Sequence, residues 1–124
     1  MQIRKHFTFE AAHVLPHHLG KCRHLHGHSY RLEVAVDGPL LLSGPAQGMV
    51  VDFSEISQIV NADVIEILDH SLLNDLIPNP TAELIVSWIW ERLAPRLPGL
   101  SELVLWETPT ECAVLRGCDD ARPR

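Results

Sequence analysis

The stretch from His26 to Asp37 limits the possible folds of this chain more than any other segment. Tyr30, Leu32, Val34 and Val36 form an apolar row, and Arg31, Glu33, Ala35 and Asp37 alternate with it. Successive side chains of a strand point to opposite faces, so a period of two demands a strand with one face buried. A slip of one residue would turn the whole row to solvent, so packing fixes the register. Residues 3–13 repeat the pattern. Phe7, Phe9, Ala11 and His13 share one parity there, and His6, Thr8, Glu10 and Ala12 share the other.

The rest of the chain organises around those two strands. Residues 14–24 hold Pro, Gly and polar groups and read as a loop. Gly38-Pro39 ends the second strand, residues 39–48 form a connection, and Met49 to Val51 read as a short strand end. Asp52 and Glu55 have capping-box spacing, and Ile56, Ile59, Val60, Val64, Ile67 and Leu68 follow at helical spacing. Asn79-Pro80-Thr81 announces a second helix whose stripe is Leu84, Ile85, Trp88, Ile89 and Leu93. Pro95, Pro98 and Gly99 stop it. Leu103 to Thr108 and Cys112 to Leu115 read as two last strands joined by a turn with Pro109. The order strand, strand, helix, helix, strand, strand predicts an α+β fold, an antiparallel sheet covered on one face. One domain is expected over 1–118, with a polar tail at 119–124.

The charge balance narrows the partners. With a formal net charge of −6, the chain lacks the basic stripe that binding a nucleic-acid backbone requires. No apolar run is long enough to span a bilayer, and MQIRKHFTFE lacks the apolar stretch of a leader peptide. Three cysteines, an odd count, point to reduced thiols in the cytoplasm.

Histidine is the outlier, with six of the eight between His13 and His28. His26 and His28 bracket Gly27 and share the parity of Tyr30, so both point to the covered face. His13 ends the preceding strand on the parity of Phe7 and Phe9. A hairpin through 14–24 would bring all three imidazoles together. Three neutral histidines with one open position suit a catalytic zinc ion, and zinc is preferred over copper or iron on ligand type. His6, His17 and His18 are expected in solvent, and His24 is ambiguous. A non-catalytic zinc-binding module is the reading of a different class.

Cys22 lies four residues before His26 and between Lys21 and Arg23, cations that favour thiolate. It reads first as a catalytic base and second as a metal ligand. Cys112 reads as a small buried residue, and Cys118 as idle. Asp69-His70 places a carboxylate beside an imidazole at the end of the first helix, where a plain helix-ending turn is equally compatible. Glu107 closes an apolar strand and could take two N–H donors from a flat heterocycle; taken alone it reads as a solvent-facing acid. Glu83 is accounted for by the helix dipole.

The run FTFEAAH…KCRHLHGHSY, with VVDF, LDHSLLN, NPTAE and WET, resembles the 6-pyruvoyl-tetrahydropterin synthase family over roughly residues 3–117. The spacing of Cys22 to His26 is similar to the bacterial 6-carboxy-tetrahydropterin synthase branch, which serves queuosine (7-deazaguanine) biosynthesis. The resemblance implies a T-fold with four antiparallel strands and two helices. It also implies a hexamer of two trimers with active sites at subunit interfaces. Zinc (Zn2+) is implied on His13, His26 and His28, with Cys22 as catalytic base assisted by Asp69 and His70 of a neighbouring subunit. Glu107, with backbone near Thr81, is implied as the pterin anchor. The implied substrate is 7,8-dihydroneopterin triphosphate, whose phosphates Lys21, Arg23 and His24 are placed to meet. A 6-pyruvoyl product and a plain side-chain cleavage are the close enzymatic alternatives. His24 and the loop 39–47 depart from the family pattern.

Overall fold

The computed structural model describes residues 1–119. The period-two segments pair as the alternation requires. Strand β1 (Gln2–His13) runs antiparallel to β2 (His26–Asp37), with Phe7 opposite Leu32, Phe9 opposite Tyr30 and His13 opposite His26. Equal parities therefore meet, and one continuous apolar face results. On the other side of β2 lies β4 (Leu100–Thr108), then β5 (Glu111–Arg116).

Both helical segments cover that face. Helix α1 (Phe53–Val60) starts at Asp52, whose carboxylate accepts the Ser54 N–H at 2.8 Å. The helix widens through a π turn (Asn61–Ile65) and closes in the short α2 (Glu66–Leu68). Helix α3 (Ala82–Leu93) is capped by Thr81, whose hydroxyl accepts the Leu84 N–H at 3.2 Å. Leu32, Leu103 and Leu105 of the sheet and Ile56, Val60, Val64, Ile85 and Ile89 of the helices are all fully buried. The opposite face carries ion pairs: Arg4 to Glu102 at 2.6 Å and Arg116 to Glu102 at 3.1 Å, with Arg31 lying over the Trp106 ring.

Several expectations change. The sheet has five strands, because β3 (Ser71–Leu72) pairs parallel with Ala11 and Ala12. Two residues are too few to show any period. Met49–Val51 is not a strand: the Met49 carbonyl accepts the Leu41 N–H at 2.8 Å, so the loop bonds within itself. Cys112 is exposed and not buried, since Leu115 sets the inward parity of β5 and Cys112 falls on the other. Residues 120–124 of the expected tail lie outside the described residues.

Candidate metal centre

The apolar rows of β1 and β2 end in imidazoles. Ala11 and His13 continue the row of Phe7 and Phe9, and His26 and His28 continue that of Tyr30 and Leu32. One ring nitrogen from each of His13, His26 and His28 lies within 4.8 Å of the others. Gly27 keeps the strands close, since a Cβ there would stand 3.3 Å from the Ala11 carbonyl oxygen.

Backbone carbonyls set the tautomers. His13 Nδ1 is 2.8 Å from the Pro80 carbonyl oxygen, and His26 Nδ1 is 2.7 Å from that of His24. A carbonyl has no proton to give, so both Nδ1 atoms donate and both Nε2 atoms keep bare lone pairs. Those two Nε2 atoms face each other at 3.0 Å. Two lone pairs at that distance repel unless a cation lies between them. His28 Nε2 is buried with no hydrogen-bond partner among the described residues. Burial pushes the His28 pKa down, against the opposing pull of the Glu107 carboxylate, whose Oε1 stands 3.5 Å from Nε2. A lowered pKa keeps the ring neutral, the form that ligates metals. The donor set therefore fits a divalent cation on three imidazoles, with outer partners of the kind that orient metal-binding histidines.

The other residues singled out in the sequence separate into two groups. Cys22 sits in a 3-10 turn (Lys21–Arg23) and lines a concavity of about 260 Å3 with Thr81, Glu83 and Glu107. Glu107 shares the inward parity of Leu103 and Leu105, which puts it beside His28 and not in open solvent. Lys21 and Arg23 are exposed on the same turn and do not line that concavity. His18 does line it, although its ring is exposed; its Nδ1 accepts the Gly20 N–H at 2.9 Å. His24 is exposed and acts through its carbonyl.

Asp69 and His70 stand elsewhere, at the far edge of β1. Asp69 Oδ1 accepts the Glu10 N–H at 2.8 Å, and Oδ2 is 3.0 Å from His70 Nδ1. The Glu10 N–H, above all, holds the Asp69 carboxyl below the usual carboxylate range. With its Nδ1 proton on Asp69, His70 presents a bare Nε2. His70 is also the one described non-glycine residue with positive φ, at 59°. Such strain costs about 1 kcal/mol or more and often marks a functional position. Its N–H bonds the Glu10 carbonyl at 2.6 Å, which fixes the kink. His70 lines a concavity of about 430 Å3 with Glu10, Gly27, His28 and Ser29. Cys22 lines no part of it.

Sequence reasoning missed Glu10, Pro80 and the role of the His24 carbonyl. All three act through backbone atoms, which no residue type announces.

Comparison with known proteins identifies the family and the fold. The family model described as 6-pyruvoyl tetrahydropterin synthase matches residues 2–118. A 6-carboxy-5,6,7,8-tetrahydropterin synthase of Synechocystis is 46% identical over 115 residues, covering 90% of this chain and 89% of its own. A dihydroneopterin monophosphate aldolase of Pyrococcus furiosus is 40% identical, covering 81% and 83%. The 6-pyruvoyl tetrahydropterin synthase structure from Caenorhabditis elegans superposes with a TM-score of 0.82 over 94% of this chain and 95% of its own, at 23% identity. That likeness carries the fold, a T-fold. With a family match spanning nearly every described residue, and His13, His26 and His28 gathered at the end of the core, the chain belongs to the 6-pyruvoyl tetrahydropterin synthase family.

Proposed function

We propose that the protein is a zinc-dependent 6-carboxy-5,6,7,8-tetrahydropterin synthase. It would convert 7,8-dihydroneopterin triphosphate to 6-carboxytetrahydropterin, acetaldehyde and triphosphate, within queuosine biosynthesis in the cytoplasm. The observation that carries this reading is the imidazole triad beside a concavity that holds both a thiol and a carboxylate. The Synechocystis relative's name favours the 6-carboxy product.

Zinc on His13, His26 and His28 supplies Lewis-acid polarisation of the substrate's side-chain oxygens when bound. Cys22, flanked by Lys21 and Arg23, removes a proton at one side-chain carbon as thiolate and, as the thiol so formed, returns it at the next. Glu107 accepts N–H groups of the pterin ring, and backbone at Thr81 completes that recognition. Lys21 and Arg23, exposed on the turn of Cys22, face the phosphate tail. His70, with Nε2 free and Nδ1 held by Asp69, is the second proton carrier.

The separation of His70 from Cys22 bears on assembly. They line different concavities, and the family resemblance implies that Asp69 and His70 reach the relay from a neighbouring copy. Two open sheet edges suit such an assembly: β3 covers only Ala11 and Ala12 of β1, and β5 ends the strand order. A hexamer of two trimers follows from the family resemblance.

The relative named as an aldolase favours a second reading, side-chain cleavage of a dihydroneopterin phosphate. Incubation of zinc-loaded protein with 7,8-dihydroneopterin triphosphate distinguishes them. Acetaldehyde with 6-carboxytetrahydropterin is expected. A pyruvoyl product without acetaldehyde, or cleavage that leaves no carboxyl group on the pterin, would overturn the proposal.

A further inference from the structure

We propose that Tyr30 is a positioning residue of the metal centre, its hydroxyl and ring aiming His13 and His28; this rests on the metal reading above. His13 is wholly buried, and its Nδ1 proton meets two oxygens: the Pro80 carbonyl at 2.8 Å and the Tyr30 hydroxyl at 3.4 Å. Since Nδ1 carries the proton, the Tyr30 oxygen accepts a share of it. Any rotation of the imidazole about its long axis trades one acceptor against the other. The pair of oxygens therefore brackets the ring's orientation, and with it the direction of the Nε2 lone pair.

The Tyr30 ring contributes independently. Its centroid stands 5.6 Å from that of His28 and 6.3 Å from that of His13, at interplanar angles of 75° and 88°. Both ligand rings thus meet Tyr30 close to perpendicular, the favoured edge arrangement for aromatic pairs. Tyr30 is itself immobilised. It has no exposed surface, and it stacks on its cross-strand partner Phe9 at 4.9 Å and 10°. A side chain fixed by the core in this way transfers the rigidity of the sheet to two of three ligands. Orienting partners of metal-binding histidines commonly change affinity ten- to a hundredfold when removed.

The test uses the full chain with zinc as the probe. Tyr30→Phe keeps the ring and the Phe9 stack and removes one oxygen. Competition against a chromophoric chelator should show the zinc Kd raised about tenfold, while the melting temperature of the metal-free protein stays within a few degrees of the parent. A Kd within twofold of the parent overturns the proposal, as does a drop in metal-free melting temperature with Kd unchanged, which would mark Tyr30 as packing alone. Tyr30 is the chain's single tyrosine, so 3-fluorotyrosine gives one fluorine resonance without altering the sequence. Zinc should shift that resonance; an unmoved line also overturns the proposal. A parent protein that binds no zinc defeats the metal reading itself, and is recognised before any variant is made.

Discussion

Zinc should raise the melting temperature of this protein by about 10 °C, and His26→Ala should abolish most of that shift. At free zinc a hundred times Kd, the native state gains about 2.7 kcal/mol if the unfolded chain binds none. For 124 residues, unfolding entropy is roughly 0.26 kcal/mol/K near the transition. The quotient gives the shift. The structure also fixes the behaviour without metal. There the His13 and His26 lone pairs oppose each other at 3.0 Å, so removing one imidazole relieves a repulsion. The variant loses a hydrogen bond from an exposed site, about 1 kcal/mol, and regains part of it. Metal-free His26→Ala should therefore melt within about 4 °C of the metal-free parent. Differential scanning fluorimetry of chelator-stripped protein, with and without added zinc, reads all four values. The shift should shrink as pH falls, because protons compete for the imidazoles. Equal melting temperatures with and without zinc in the parent would refute the reasoning. So would a zinc shift in His26→Ala as large as the parent's.

Three further outcomes follow from the same geometry. Cys22→Ala should lower turnover by about a hundredfold or more while zinc content by atomic absorption stays unchanged; unchanged turnover would remove Cys22 from the chemistry. Asp69 has a depressed folded pKa, so its stabilising contribution is present above the ordinary carboxylate value of about 3.9 and is lost as pH falls through the lower folded value. Acid unfolding of the parent should accordingly be steeper below about pH 4 than that of Asp69→Asn, whose curve should be flatter there; identical curves would contradict this. Cys22→Ala and His70→Ala, each inactive alone, should regain activity when unfolded and refolded together, because a mixed assembly pairs an intact Cys22 with an intact His70. No recovery in co-refolded mixtures would place both groups in one chain's site.

The strands were legible because burial on one face writes period two into the sequence. Both ends of β2 fall where the alternation starts and where Gly38-Pro39 stops it. The helices were legible from caps that the structure uses, Asp52 and Thr81. The imidazole triad was legible because His13, His26 and His28 keep the parity of core residues, and polar groups at core positions require a reason. Other features left no local trace. Strand β3 exists because the Asp69–His70 kink is bonded to Glu10, a contact 59 or 60 residues apart in the chain. Cys112 was misplaced because a four-residue strand offers two parities and little to choose between them. Only the pairing of Leu103 with Leu115 decides which side faces inward.

The position of the triad follows from the economy of the sheet. A core row must end where the helices stop covering it, and the residues there run from buried to half-buried: near enough to the core to be immobilised, near enough to solvent to meet a substrate. His13 is fully buried while His26 and His28 are only partly so, which grades the site from anchored to accessible within one hydrogen-bonded register. Placing the ligands on β1 and β2, and not on a loop, makes their separation a property of strand spacing. The groups proposed to move protons sit instead on the 3-10 turn of Cys22 and the kink of His70. On that proposal, rigid strands hold the metal and turns carry the acid–base groups. Substitutions in the paired core of β1 and β2 should therefore disturb metal affinity before chemistry, and substitutions in the two turns should disturb chemistry before metal affinity.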